Sequence, residues 1–389
     1  MDPNDIIDNL ALTQSRLIAS QPARMRLAFD HWDLRSCRAA LIMGPRGVGK
    51  TRLLLREAER HGNILHLSAD HPYLDEVSLW TIAETAFLRG YDGIAVDEVN
   101  FARNWSRHLK AIYDAYPGKV IWASDSSSVV LRSSVGDLSR RFLQKRLSYL
   151  SLREYIHLKE GLELPVLNPF TATPAAFSRI LEATNVMASF RTYVEEGFRP
   201  FFLEGNYAER ILAVLEKSIH ADVPYFVPQI QENHLRLMRA VVSHLALAAI
   251  PTINIDGMCS EWSLGKEKLH QLLGVLEHLE IIRIIRYQKD RRRLSKGAKL
   301  FLADPTIYSV LGGNKGSRRE ALVCTLMAMS GRKVAASDNE TLCDFVADDV
   351  TIEVGGAGKK RKKADWVIRD DTDRPSQKSL PLWSLAMMS

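Results

Sequence analysis

The residues best spaced to do chemistry are Gly44, Pro45, Arg46, Gly47, Val48, Gly49, Lys50 and Thr51, which fit Gly-x-x-x-x-Gly-Lys-Thr and run on into Arg52. Glycines at these spacings let the backbone curl until its amides face phosphate oxygens, and a following helix adds a partial positive charge. Lys50 is placed to reach β- and γ-phosphates, and Thr51 to ligate magnesium. The whole stretch to Arg52 is therefore expected to bind nucleotide. Adjacent Asp97 and Glu98 end an apolar run. With a phosphate loop upstream, Asp97 suits a magnesium site, and Glu98 suits the orientation and deprotonation of an attacking water. Ser124 and Ser126 follow a further apolar run and are candidates for sensing a γ-phosphate, a plain turn being the alternative. Arg140 and Arg141 suit an arginine finger that stabilises charge on a transferring phosphoryl group, the alternative being solvated surface arginines.

Those residues need a scaffold that gathers strand ends. Apolar segments at Ala39–Met43, Asn63–Ser68, Tyr91–Glu98, Lys119–Ala123 and Arg146–Leu150 read as strands, alternating with helical segments. This predicts an α/β fold with a parallel sheet whose C-terminal ends hold the site. Ser151 to His220 is helical in period and reads as a lid. Glu196–Phe202 reads as an aromatic turn that packs, and Asp222–Pro228, with its prolines, as a linker. Helical patterns at Glu232–Ala249 and Leu264–Leu279 flank a short segment, Asn254–Glu261. Strands at Ile281–Tyr287 and Ala298–Leu302 then enclose a basic tip, Gln288–Lys296. That order suits a winged helix. In a DNA-binding version Lys266, Lys268 and His270 face the groove while Arg291, Arg292 and Arg293 contact phosphates; packing or protein contact is the alternative.

The 389 residues are 46% hydrophobic and 25% charged, with net charge +6. This favours roughly two to four domains over disorder. No apolar run reaches the roughly 18 to 20 residues of a membrane span, and Met1–Ile6 lacks a basic signal start, so no membrane association and a cytoplasmic location are expected. Cys37, Cys259, Cys324 and Cys343 stand apart and read as reduced packing residues. Base preference is open: no guanine-specific Asn-Lys-x-Asp pattern stands out.

Five motifs in one order, Gly-Pro-Arg-Gly-Val-Gly-Lys-Thr51, Val-Asp-Glu-Val-Asn100, Ser-Asp-Ser-Ser-Ser128, Asp-Leu-Ser-Arg-Arg141 and Leu-Ser-Leu-Arg-Glu-Tyr155, resemble a prokaryotic AAA-type ATPase family. The resemblance implies a P-loop ATPase core over 1–150, a helical lid over 151–221, a winged helix over 222–311 and a small α/β restriction-endonuclease-like domain over 312–389. It implies ATP as the nucleotide, Mg2+ as cofactor, and a homo-oligomer with ATP bound between subunits. Where the family shows Thr-Gly-Ser-Ser, this chain has Ser124-Asp125-Ser126-Ser127, which adds a negative charge near the phosphates. Glu320, Asp344 and Glu353 resemble the acids of a nuclease, but Gly355 stands where its lysine belongs, and Lys359–Lys363 reads as a solvated basic loop. The apolar tail from Leu380 is expected to dock on its own domain. The expected activity is ATP hydrolysis coupled to a nucleic-acid-binding unit, with double-stranded DNA as partner. The alternatives are a nucleotide-sensing switch acting on a protein partner and an ATP-controlled nuclease.

Overall fold

A computed structural model of the chain describes residues 2–126, 138–227, 229–252, 254–288, 298–339, 341–356 and 363–389. The chain divides into two compact units, Met1–Ser148 and Tyr149–Ser389.

The first unit opens with helix α1 (Pro3–Ala19), capped by the Asp2 carboxylate, which accepts from the Asn4 amide at 2.9 Å. Strand β1 (Ala39–Met43) leads through the glycine loop into α2 (Lys50–His61). Then follow β2 (Ile64–Ser68), α3 (Tyr73–Glu76), α4 (Leu79–Leu88), β3 (Gly93–Asp97), α5 (Trp105–Ala115), β4 (Val120–Asp125) and β5 (Leu143–Arg146). The strands form one parallel five-stranded sheet in the order β2-β3-β4-β1-β5. Ala40, Leu41, Ile42, Ile94, Val96 and Trp122 are buried, as expected for inner strands covered on both faces. Because β4 lies between β1 and β3, its end separates the phosphate loop from Asp97.

Two sequence expectations need correction here. The fourth strand does not stop at Ala123; Ser124 and Asp125 are strand residues, paired with Ile42 and Met43 of β1. The fifth strand is Leu143–Arg146, earlier than the apolar segment that suggested Arg146–Leu150. It is an edge strand with mostly exposed residues, while Leu147, Tyr149 and Leu150 are buried outside any ladder. Arg140 and Arg141 lie in the turn just before it.

In the second unit, Ser151 and Glu154 form a capping box at the start of a helix over Leu152–Glu160. Helices at Pro174–Ala183, Val186–Glu196 and Tyr207–Lys217 follow. The expected linker is largely helical. Ser218–Asp222 forms a wide π turn, and Val223–Phe226 continues as helix with its proline in the first turn, where no amide is needed. Helices Glu232–Leu247, Ile255–Glu261 and Lys266–His278 precede an antiparallel ladder of β6 (Ile282–Ile285) and β7 (Lys299–Leu302). Most of the basic tip, including Arg291, Arg292 and Arg293, lies outside the described residues.

A helix at Lys315–Met329 covers a second five-stranded sheet of β8 (Val334–Ala336), β9 (Phe345–Ala347), β10 (Val350–Gly355), β11 (Trp366–Arg369) and β12 (Ser379–Pro381), ordered β12-β11-β10-β9-β8. The tail docks on its own unit, with Leu380, Leu382, Trp383 and Leu385 buried. The aromatic turn packs too, with the Phe198 ring 4.9 Å from that of Tyr193. Beside it Arg199 forms a buried ion pair with Asp304, Nη1 to Oδ2, at 2.8 Å. No described helix is long and apolar enough to cross a membrane.

Candidate active site

The local sequence builds the phosphate loop through its glycines. Gly47 and Gly49 have φ of 81° and 101°, a region L side chains rarely adopt. At Gly44 the constraint is space: a Cβ there would come within 2.0 Å of the Leu147 carbonyl oxygen. Gly49 delivers the chain into α2, so Lys50 and Thr51 occupy its first turn.

Lys50 is buried, and its Nζ donates to the carbonyls of Gly44 (2.9 Å) and Pro45 (3.2 Å) and to Ser126 Oγ (3.4 Å). Burial pulls its ammonium below a lysine's ordinary range, opposed by the charges of Glu98, Asp97 and Asp125. Thr51 Oγ1 donates to Asp97 Oδ2, and Ser124 Oγ donates to Asp97 Oδ1. The Glu98 amide also donates to Oδ1, at 3.1 Å. A hydroxyl and a carboxylate in direct contact, both supplying hard oxygen donors, fit a magnesium ion.

Glu98 follows β3 in the left-handed region, with φ 48° and ψ 46°. A non-glycine residue there is strained, a condition common where side-chain placement matters more than backbone comfort. Its Oε1 accepts from Ser126 Oγ at 2.8 Å, and both its oxygens face the guanidinium of Arg46 at 3.4 Å.

The expected residues therefore come together from the loop after β1, α2, β3 and β4, with three adjustments. Ser124 is fully buried and turned to Asp97, so it positions that carboxylate, while Ser126 lies between Lys50 and Glu98. Arg141 is bound by Asp114 of α5, Nε to Oδ1 at 2.8 Å and Nη2 to Oδ2 at 3.0 Å, whereas Arg140 is exposed. Arg52 Nη1 donates to the Ser20 carbonyl at 3.3 Å, at the end of α1 and away from the loop backbone.

Two residues near the site were missed. Arg26 is buried, and its Nη1 donates to the carbonyls of Val48 (2.8 Å) and Ser148 (2.9 Å), holding the phosphate loop from behind. His66 of β2 is buried near Asp97, and burial lowers its pKa, opposed by that carboxylate. Its Nε2 has no hydrogen-bond partner among the described residues. A lone arginine or histidine carries no motif, so neither was legible.

Among the described residues, the acids of the second unit are not gathered into one metal-binding group. Glu320 pairs with Lys299 of β7 at 3.3 Å, Asp344 Oδ2 accepts from the Val354 amide at 2.8 Å, and Glu353 is fully buried. Among the described residues, no group of three or more His, Cys, Asp or Glu side chains is placed to hold a metal ion. Lys359 and Lys360 lie outside the described residues. Lys266 is exposed and paired with Asp256 at 2.6 Å, and half-buried Lys268 donates to Gln271 at 3.2 Å.

Residues 36–156 match the family model described as AAA domain. An uncharacterized protein of Methanocaldococcus jannaschii (MJ1637) is 27% identical over 297 residues, 68% of this chain and 60% of its own length, so the chain spans less than two thirds of that relative. Among solved structures, the Aeropyrum pernix ORC1 protein in complex with DNA aligns at 14% identity over 77% of this chain and 93% of its own, with a TM-score of 0.33. PCH-2 of C. elegans aligns at 18% identity over 41% and 46%, with a TM-score of 0.23. The family match falls on the stretch in which the parallel strand order gathers Lys50, Thr51, Asp97 and Glu98, so this part of the chain is similar to an ATPase domain of the AAA type.

Proposed function

We propose that the chain is a magnesium-dependent ATPase whose nucleotide state acts on a nucleic-acid-binding second unit. The observation that carries the ATPase half is the contact of Thr51 with Asp97 beside the Lys50–Ser126–Glu98 chain of hydrogen bonds. Thr51 and Asp97 would hold magnesium, which supplies charge neutralisation at the phosphates when bound. Lys50 exchanges its loop carbonyls for phosphate oxygens. Glu98 releases Ser126 and Arg46 to accept a proton from water, and Arg46 is then available to the phosphates. Arg140, exposed before β5, is the better finger, and it would complete the site of a second copy in a homo-oligomer.

The nucleic-acid half rests on exposed Lys266 and half-buried Lys268, on the helices that precede the β6–β7 ladder, and on the basic segment between those strands. It reads as a winged helix contacting double-stranded DNA.

The test is steady-state ATP turnover with and without double-stranded DNA, with Lys50→Ala and Glu98→Gln as controls. Stimulation by DNA that both substitutions abolish supports the coupled ATPase. Unstimulated, slow turnover, with ATP binding lost only in Lys50→Ala, supports a nucleotide switch on a protein partner instead. That second reading is favoured by one observation: both Glu98 oxygens are already engaged by Arg46. Mixing Lys50→Ala with Arg140→Ala protein tests the finger, since a finger acting in trans restores activity that neither variant has alone.

A further inference from the structure

Strands β11 and β12 run parallel at one edge of the second sheet, with Val367 opposite Ser379 and Ile368 opposite Leu380. Alternation sends Ile368 and Leu380 into the core, where both are buried, and leaves Val367, Arg369 and Ser379 on the other face. The connecting segment folds over that face. It is held by the Lys378 carbonyl, which accepts from the Val367 amide at 2.9 Å, by the Ser376 amide donating to the Ser379 carbonyl at 2.9 Å, and by the Trp383 indole donating to the Asp373 carbonyl at 3.0 Å.

Between segment and strands lies a cavity of about 310 Å³, lined by Val367, Arg369, Thr372, Ser376, Lys378 and Ser379. Among the described residues, the lining carries two cationic side chains and three hydroxyls, and no carboxylate. Ser379 Oγ is buried with no hydrogen-bond partner among the described residues, a costly state for a hydroxyl that a bound acceptor would relieve. Thr372 Oγ1 is already committed to the Arg374 carbonyl at 3.0 Å and shapes the wall. Cations and hydroxyl donors around a small concavity, without acids, suit an oxyanion; the volume is at the small end of ligand pockets.

We propose that this cavity binds a phosphate group, carried by a small phosphomonoester or by a nucleic-acid backbone. Lys378 and Arg369 neutralise its charge, and Ser376 and Ser379 donate to its oxygens. The described residues of the site all belong to the second unit.

The full-length chain carrying Lys50→Ala, which removes phosphate-loop binding, is titrated calorimetrically with inorganic phosphate, ribose 5-phosphate and a DNA oligonucleotide lacking terminal phosphates. Lys378→Gln and Ser379→Ala are then added singly. Lys378 is exposed, so its exchange leaves folding intact. The expected result is saturable binding weakened about tenfold by Lys378→Gln, as loss of a charged hydrogen-bond donor implies. Binding by the first two probes identifies a small phosphomonoester, and binding by the oligonucleotide alone identifies a nucleic-acid backbone. Absence of binding by all three probes, or binding indifferent to both substitutions, overturns the proposal.

Discussion

Arg46 of the phosphate loop grips Glu98 through two parallel contacts, Nη1 to Oε1 and Nη2 to Oε2, both at 3.4 Å. The pair ties the loop after β1 to the end of β3, two strands that are not neighbours in the sheet. Both side chains are mostly buried, 12% and 17% exposed, so solvent screens the pair only in part.

Arg46→Ala should therefore destabilise the fold more than an ordinary surface exchange, by about 1–3 kcal/mol, because it leaves a mostly buried carboxylate next to Asp97 without its cation. Adding Glu98→Gln should recover part of that loss. Denaturant unfolding of the wild type, the two singles and the double gives the coupling energy; a value near zero would mean that the pair does not form in solution.

Ser124→Ala should act through Asp97, not through ATP. Removing a hydroxyl donor to a buried carboxylate should cost about 1–3 kcal/mol of stability. The Mg2+ concentration for half-maximal turnover should rise while ATP binding without metal is unchanged. A loss of metal-free ATP binding would return Ser124 to the role of a phosphate sensor.

In the second unit, Arg199 and Asp304 form a buried ion pair, with Asp304 Oδ1 also accepting from the Thr306 amide at 2.9 Å and its hydroxyl at 2.6 Å. Exchanging Arg199 for Met strands a buried carboxylate and should cost about 3–5 kcal/mol. Arg199→Met with Asp304→Leu should be less damaging than Arg199→Met alone, because the isolated charge goes with its partner. Thermal unfolding of the four proteins decides this.

Acidification should loosen the helix that begins at Glu232. His234 Nδ1 accepts from the Gln231 amide at 3.2 Å, which requires that nitrogen to be unprotonated. Burial first, and Lys268 second, lower the His234 pKa from 6.5. The unfolded chain then binds more protons between the lowered folded value and about 6.5, so stability falls as pH drops through that window. His234→Gln, whose carbonyl can accept without titrating, should flatten this part of the melting temperature's pH profile between about pH 7.5 and 5.5.

The sequence made the phosphate loop and Asp97–Glu98 legible because their chemistry is set by neighbours along the chain. Residues that act across long separations were not. Arg26 reaches backbone carbonyls at Val48 and Ser148, and Arg199 finds Asp304, without any local pattern. Edge strand β5 was misplaced for a related reason: apolar runs mark buried segments, and this strand is polar because it borders the sheet. The segment at Val223 was read as a linker from its prolines, yet burial of Val223 and Val227 outweighs local propensity and keeps it helical.

Arg26 holds Val48 of the phosphate loop and Ser148 with one nitrogen, and Gly44 abuts the carbonyl of Leu147, whose amide donates to Met43 at 2.8 Å. Leu147 and Ser148 are the last residues of the first unit. The loop that answers to phosphate is thus stapled to the stretch of backbone by which the chain leaves that unit. An adjustment of the loop would therefore be felt first at the backbone of Leu147 and Ser148, with no intervening side chain needed to carry it beyond Arg26.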